Sequence, residues 1–306
     1  MATATTAPQI ITIVMASDNF YAILIAPLIK SIEVNHKGDE LLDFFIIDDG
    51  ISDKNRKKLQ DTINPKKSSI SWVKASDAVF QDIKVPVDKT AFPLTAYMRL
   101  FAPYIVPADR DKIIYLDCDM IVLDDIAKLW KTDIGDKTFG AVQDLQETVS
   151  CSWGGIPNYK ELGIPADSKY FNSGLLLINA KLWRQKEITK KVIQCLIDNS
   201  KHVNWVDQYG LNAAMANQWH ELDKNWNWYA ILDTKTPENK DPSIIHYLDI
   251  KPIFKSYASN KDFQVEFYKY MKLTPWKNHT PVSDYKRLLR RTYNKLKKYL
   301  PGAGAA

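Results

Sequence analysis

The chain predicts an α/β fold, a mostly parallel sheet flanked by helices, followed by a C-terminal helical extension. Two observations carry this. Short apolar runs bounded by polar or turn residues recur through most of the sequence, and such runs suit strands buried on both faces. Between the early runs lie stretches of helical length, and alternation of strand and helix is the pattern of βαβ units.

Residues 10–16 (IITIVMA) read as a buried strand, broken by Ser17-Asp18-Asn19 before a helix over 21–34. A second strand over 42–47 is closed by Asp48-Asp49-Gly50, a turn signal. Residues 52–63 form a polar-faced helix, with Ser52 or Asp53 suited to cap it. Residues 69–75 alternate as a strand, and 93–104 read as a helix with Pro93 at its first position. Residues 113–123 then form one apolar strand interrupted by Asp117 and Asp119. After it come a short strand over 140–144 and an irregular stretch over 146–169. A central strand over 175–179 follows, with helices over 188–197 and 207–216 and a late strand over 244–247. There are no repeats and no long linker, so one domain is expected over 9–255, with the extension over 256–306.

Asp117 and Asp119 stand out by position. Residues two apart in extended chain project to the same side, roughly 6–7 Å apart, and in open α/β sheets ligands bind past the carboxyl ends of strands. The pair could hold one divalent cation. Asp109 and Asp111 repeat the spacing but precede the apolar run, at the wrong end of the strand.

Composition narrows the class. A chain of 306 residues with 45% hydrophobic and 25% charged residues is an ordinary globular one. Nine Trp and fifteen Tyr suit either a carbohydrate site or a large core. No run of 18 apolar residues exists, which excludes a transmembrane helix. The first seven residues lack the basic start of a secretory signal. Three distant cysteines show no zinc spacing and fit a reduced, cytoplasmic protein.

The order of motifs is more specific than any one of them. Residues 16–21 (ASDNFY), 93–100 (PLTAYMRL), 115–119 (YLDCD) and 170–179 (YFNSGLLLIN) are followed by Asp207-Gln208, Ile245-His246-Tyr247 and Lys251-Pro252. Over about residues 9–252 this series resembles glycosyltransferase family 8, the retaining UDP-sugar transferases of the Rossmann-like GT-A fold. Members include bacterial lipo-oligosaccharide α-galactosyltransferases, related glucosyltransferases and glycogenin.

The resemblance implies a role for each matching residue. Asp117, Asp119 and His246 would be metal ligands; two carboxylates and an imidazole favour Mn²⁺, with Mg²⁺ as the alternative. His246 could equally be a core histidine. Ala16, Asp18 and Tyr21 would hold the uracil, Tyr21 by stacking, although Asp18 would also serve as a helix cap. Arg99 would neutralise the diphosphate, or else make a surface ion pair. Cys118 would contribute from within the YLDCD motif, and Asn172 and Ser173 would lie by the donor sugar with Gly174 letting the backbone approach. Asp207 would bond the sugar hydroxyls, Gln208 would lie beneath the anomeric carbon, and Asp144 would sit between donor and acceptor or merely end its strand. An amide beneath the sugar favours front-face attack over double displacement, which needs a carboxylate nucleophile. Lys251 would reach the diphosphate, but the family's glycine and its Trp after Lys-Pro are missing here and the segment is one residue shorter.

The tail is basic. Residues 284–300 carry seven Lys or Arg and one acid, so the rest of the chain is close to neutral despite a net charge of +5. On a helical wheel Leu288, Leu289, Tyr293, Leu296, Tyr299 and Leu300 share one arc, and Lys286, Arg287, Arg290, Arg291, Lys295, Lys297 and Lys298 fill the other. Such a helix over 285–300 would lie on an anionic membrane, here the inner face of the cell membrane, or dock on the domain with a solvated basic face. Nothing supports nucleic-acid binding. The expected activity is transfer of galactose or glucose from a UDP-sugar to a glycan, lipid-linked or glycoprotein acceptor. A non-catalytic UDP-sugar-binding or membrane scaffold is the alternative. A nucleotidyltransferase is disfavoured because the glycine-rich phosphate loop is absent.

Overall fold

The computed structural model describes residues 9–79, 83, 85–86, 94–231, 242–285, 288–289 and 292. Its first half runs β1 (Ile10–Asp18), α1 (Ala22–Asn35), β2 (Leu41–Asp49), α2 (Asp53–Gln60), β3 (Ser68–Lys74) and α3 (Ala75–Ala78). After a 3-10 helix at Leu94–Phe101 come α4 (Ala102–Ile105), β4 (Lys112–Leu116), β5 (Met120–Val122), α5 (Ile126–Trp130), β6 (Phe139–Thr148) and β7 (Lys169–Asn179). The rest comprises α6 (Ala180–Gln185), α7 (Ile188–Asp198), α8 (Val206–Ala214), β8 (His220–Glu221), β9 (Trp228–Tyr229), β10 (Ile244–His246) and α9 (Lys261–Met271).

The main sheet has the order β3-β2-β1-β4-β7-β6-β8. Pairings from β3 through β4 are parallel, as is β6 with β8. Strand β7 runs antiparallel to both β4 and β6. The expected parallel sheet is therefore mixed at β7, because the segment joining β6 to β7 contains no crossover helix and returns the chain in the opposite direction.

Alternation along β1 explains why its sequence is apolar throughout. Ile11, Ile13 and Met15 face α1, where they pack with Ile25 and Ile29. Val14 and Ala16 face the other layer, with Tyr97, Met98 and Phe101. A strand covered on both sides has no solvent face to leave polar. Helix α9, which no sequence motif marked, buries Phe263, Phe267, Tyr270 and Met271 against Ile121, Ile245 and Tyr247. Full burial of an apolar side chain of this size contributes about 1.5–3 kcal/mol, so this helix is part of the core that supports the short strands. Asn35 fastens the end of α1 to both, donating to the Val122 carbonyl (2.8 Å) and the Tyr270 hydroxyl (2.8 Å).

Several elements differ from expectation. Ser52 caps α2 by accepting from the Asn55 amide, but the helix stops at Gln60. The helix expected over 93–104 is split into a 3-10 helix and α4. Pro103 lies in the first turn of α4; it has no N–H to continue a ladder and restricts the residue before it. Pro93 lies outside the described residues. Strands β6 and β7 are longer than expected, taking in 145–148 and 169–174.

The largest correction concerns residues 113–123. They are not one strand. The chain leaves β4 at Leu116, turns through Asp117–Asp119, and enters β5, which pairs with β10 in a separate three-stranded sheet. The Asp117 amide donates to the Gly174 carbonyl (2.8 Å) in the main sheet, and the Tyr247 amide donates to the Asp119 carbonyl (2.9 Å) beside the small one. Each aspartate is thus anchored to a different sheet. Asp109 and Asp111 lie at the far end of β4, where Arg110 meets Asp43 (3.6 Å) and Asp111 meets Arg184 (3.8 Å).

Candidate active site

The turn between β4 and β5 brings Asp117 and Asp119 to β10. His246 Nε2 lies 3.4 Å from Asp119 Oδ1 and 4.0 Å from Asp117 Oδ2. One ligand atom from each of the three side chains falls within a 4.8 Å span. His246 is only 2% exposed, as a core histidine would be, but its ring is aimed by a partner that the sequence did not reveal. Asn227 Oδ1 sits 2.9 Å from His246 Nδ1. A proton on Nδ1 leaves the Nε2 lone pair facing the carboxylates, the orientation a metal-binding imidazole needs.

Gly174 completes the cradle. A Cβ there would lie 2.5 Å from His246 Cε1, 2.8 Å from Asp117 Oδ2 and 2.9 Å from Asn172 Oδ1. Two oxygen donors and one nitrogen, converging with the imidazole oriented and the backbone pared to glycine, fit a divalent cation.

Two cations of the chain balance these acids. Arg99 is buried, its Nε 2.7 Å from Asp207 Oδ2 and its Nη2 3.1 Å from Asp117 Oδ1. The surface ion pair considered from sequence is therefore a buried fork between two carboxylates, packed over the Tyr115 ring at 5.1 Å. Tyr115 also donates to Asp117 Oδ1 (3.1 Å). Lys251 reaches the site despite the altered sequence around it: Nζ lies 2.5 Å from Asp119 Oδ2 and donates to the Tyr247 and Leu248 carbonyls. Burial works against the Asp119 carboxylate, but Lys251 and His246 outweigh it and hold its pKa well below the usual range.

The second group lies alongside. Asn172 Nδ2 and Gln208 Nε2 both donate to Asp144 Oδ2, at 3.1 and 2.8 Å. Gln208 Oε1 accepts from the Ser173 amide (3.0 Å), and the Ser173 hydroxyl donates to Asp207 Oδ2 (3.3 Å). Asn227 links the groups by donating to Asn172 Oδ1 (3.0 Å). Burial raises the Asp144 pKa against the hydrogen bonds it accepts from Leu145, Asn172 and Gln208. Burial likewise pushes Asp207 up to about 6, against the pull of Arg99. Asp144, Asn172, Ser173, Asp207 and Gln208 line a cleft of about 610 Å³ that also contains Asp117 and His246.

The remaining candidates lie at the neighbouring end of β1. Ala16 is buried there, and Asp18 Oδ1 accepts from the Phe20 and Tyr21 amides (2.9 and 3.0 Å), closing the turn before α1; the helix N-cap is Tyr21, with no side-chain cap bond, so Asp18 is not the cap. Tyr21 and Lys251 line a second pocket of about 340 Å³ with Asp249, Phe254 and Ser259. Cys118 sits between the two aspartates, its thiol pushed well up by burial and by the flanking Asp119 and Asp117. Asn227 and Tyr115 are the site residues that sequence reasoning missed. Tyr115 carried a signal, standing two positions from Asp117 in the quoted motif; Asn227 carried none.

The Asp207 shift has a testable sign. The group ionises near 3.8 when unfolded and near 6 when folded. Its stabilising contribution is full below the lower value and lost as pH rises through the higher one, a change of up to about 3 kcal/mol. The Asp207→Asn variant lacks this titration. It should gain stability relative to the parent between about pH 4 and about pH 7 in paired thermal melts of metal-free protein. A constant difference would contradict the assignment.

The model of "Glycosyl transferase family 8" matches residues 12–255. General stress protein A of Bacillus subtilis is 30% identical over 284 residues, 88% of this chain and 95% of that protein. The lipopolysaccharide 1,2-glucosyltransferase of Escherichia coli K12 is 24% identical, over 83% of this chain and 75% of that one. Four longer streptococcal glycosyltransferases are matched over only 23% to 62% of their length. Among solved structures, the galactosyltransferase LgtC in complex with donor and acceptor sugar analogs superposes with a TM-score of 0.70 at 25% identity, covering 87% of this chain and 96% of LgtC. The chain belongs to glycosyltransferase family 8 and is a glycosyltransferase of GT-A fold.

Proposed function

We propose that the chain transfers galactose or glucose from a UDP-sugar to a glycan, lipid-linked or glycoprotein acceptor, with retention of configuration and with Mn²⁺. The observation that carries this reading is one cleft lined by Asp144, Asp207 and Gln208 together with Asp117 and His246, which converge with Asp119 on one point. The nitrogen ligand favours Mn²⁺ over Mg²⁺. When bound, the cation would neutralise the leaving diphosphate as a Lewis acid. Arg99 and Lys251 add fixed positive charge on the same side, and Tyr21 offers a ring for the base. Asn172, Ser173 and Asp207 would hold the sugar, with Gln208 beneath its anomeric carbon. An amide is a poor nucleophile, which favours front-face attack on the sugar over a covalent intermediate. The similarity to LgtC and to the E. coli glucosyltransferase supports a hexose donor.

The test is a panel of UDP-galactose, UDP-glucose, UDP-N-acetylglucosamine and UDP-xylose, read by UDP release. Release from UDP-galactose or UDP-glucose should be abolished by EDTA and restored by Mn²⁺. No release from either would overturn the reading.

We also propose that residues 9–255 form the catalytic body, braced by α9 from the start of the extension, and that the extension over 256–306 ends on the inner face of the cell membrane. The basic residues from 286 onward lie outside the described residues. Support comes from Tyr285, Leu288 and Leu289, which are 66%, 50% and 49% exposed at helical spacing beside that basic sequence. Among the described residues no helix is long and apolar enough to cross a membrane. Replacing Lys295, Lys297 and Lys298 with glutamate should reduce sedimentation with phosphatidylglycerol vesicles at least about tenfold. Unchanged sedimentation would remove the membrane from the proposal.

A further inference from the structure

The hydrogen-bond directions behind His246 can be read from one fixed point. A backbone N–H can only donate. The Gly174 amide donates to Asn172 Oδ1 (3.0 Å), so Asn172 turns its oxygen toward Gly174 and its nitrogen toward Asp144 Oδ2 (3.1 Å). Asn227 faces that same oxygen at 3.0 Å and must present its own nitrogen there. Its oxygen is then left for His246 Nδ1, 2.9 Å away. An amide oxygen only accepts, so Nδ1 carries a proton. The state of the imidazole thus follows from a strand amide through two side-chain amides.

This matters at the other nitrogen. His246 Nε2 lies 3.4 Å from Asp119 Oδ1 and 4.0 Å from Asp117 Oδ2. With Nδ1 protonated, Nε2 is the nitrogen that can give up its hydrogen and offer a lone pair beside the carboxylates. With Nδ1 bare, the neutral ring would keep its hydrogen on Nε2 and could not act as a ligand there. His246 and Asn227 are both 2% exposed and Asn172 is 6% exposed, so a lost partner is poorly replaced by water.

The backbone, not the side chain, keeps Asn227 in place. Asn227 ends a 3-10 helix at Lys224–Asn227, capped by the Asp223 side chain, which accepts from the Asn225 amide (2.9 Å). The Ser243 amide donates to the Asn225 carbonyl (2.9 Å), and the Ala230 amide donates to the His246 carbonyl (2.8 Å). Strand β9 between them pairs in parallel with β10. Backbone bonds therefore flank Asn227 on both sides. Its side chain is left to serve the site, with its oxygen on a metal-site residue and its nitrogen on one beside Asp144.

We propose that Asn227 is the positioning residue of this site. Its carbonyl oxygen holds the His246 ring with Nδ1 as the donor, and its amide nitrogen holds Asn172 with its own nitrogen on Asp144. One side chain thereby aligns the metal triad with the group beside it. The inference rests on the metal-dependent transfer reading above.

Two variants of the full chain separate the two ends. Asn227→Leu keeps a similar volume and removes both bonds. Asn227→Asp keeps an acceptor for His246 Nδ1 but sets a carboxylate against Asn172 Oδ1. The first readout is the Nδ1-bound proton of His246 in nitrogen-15 NMR of metal-free protein, assigned by its loss in His246→Gln. It should be protected from exchange in the parent and in Asn227→Asp, and exposed to exchange in Asn227→Leu. Mn²⁺ titration by electron paramagnetic resonance should show affinity about 10–100-fold weaker in Asn227→Leu and within about threefold of the parent in Asn227→Asp. UDP release from UDP-galactose or UDP-glucose should fall at least about fivefold in both variants, since both lose the bond to Asn172. A protected Nδ1 proton or parental Mn²⁺ affinity in Asn227→Leu would overturn the proposal. So would Mn²⁺ binding lost equally in Asn227→Asp, or parental UDP release by that variant. Absence of UDP release in the parent, with the proton and Mn²⁺ results as expected, defeats the transfer reading and leaves the positioning role standing.

Discussion

Asp119→Asn is expected to lower metal-dependent UDP release by on the order of 10³-fold, several kcal/mol of charge stabilisation at the leaving diphosphate. Asp119 is the carboxylate nearest His246, at 3.4 Å, and the one paired with Lys251. Asparagine keeps the volume but removes the charge and one anionic ligand oxygen. The backbone of the turn is expected to survive, because the Asp119 carbonyl, not its side chain, accepts from the Tyr247 amide. Lys251 also retains its bonds to the Tyr247 and Leu248 carbonyls. The paired measurement is Mn²⁺ titration followed by electron paramagnetic resonance, where the variant should lose tight binding. Parental activity and Mn²⁺ affinity in a folded Asp119→Asn protein would remove Asp119 from the metal site.

Gly174→Ala is expected to be nearly as damaging, by geometry and not by charge. The added methyl would sit 2.5 Å from His246 Cε1 and 2.8 Å from Asp117 Oδ2, far inside contact distance. The strand cannot simply retreat, since the Gly174 carbonyl accepts from the Asp117 amide and its amide donates to Asn172 Oδ1. The site must open instead. Overpacking of this kind typically costs about 1–3 kcal/mol of stability, and a shift of about 1 Å in a catalytic group can cost roughly a hundredfold in rate. Thermal melts and UDP release on the same sample should show a modest loss of stability beside a loss of activity of at least about 10²-fold. A fully active Gly174→Ala protein would show that the cradle is looser than its distances.

How much was legible in advance follows from what each residue depends on. Strands β1 and β2 were readable because burial on both faces leaves a continuous apolar run. Ser52 was readable because a cap is a contact of three residues' span. The β4–β5 break was not, since the same apolar letters serve one strand or two, and only pairing partners distant in sequence divide them. Helix α9 falls within the helical extension expected over 256–306, but its packing against Ile121, Ile245 and Tyr247 was not legible, because those partners lie on distant or separately read segments. Asn227 was silent for a related reason: its role exists only through His246, nineteen positions later.

The sequence alone determined the kind of chemistry. Asp117, Asp119, His246, Asp207 and Gln208 occur in an order and in local contexts that are properties of the chain, and the α/β class follows from its periodicity. Tertiary structure decided how those residues meet. Anchoring Asp117 to one sheet and Asp119 to another places both beside His246, and burial in a shared cleft raises Asp144 and Asp207 while Lys251 and His246 hold Asp119 down. Those effects come from distances between segments far apart in the chain, and electrostatic and steric energies follow distance in space, not separation in sequence.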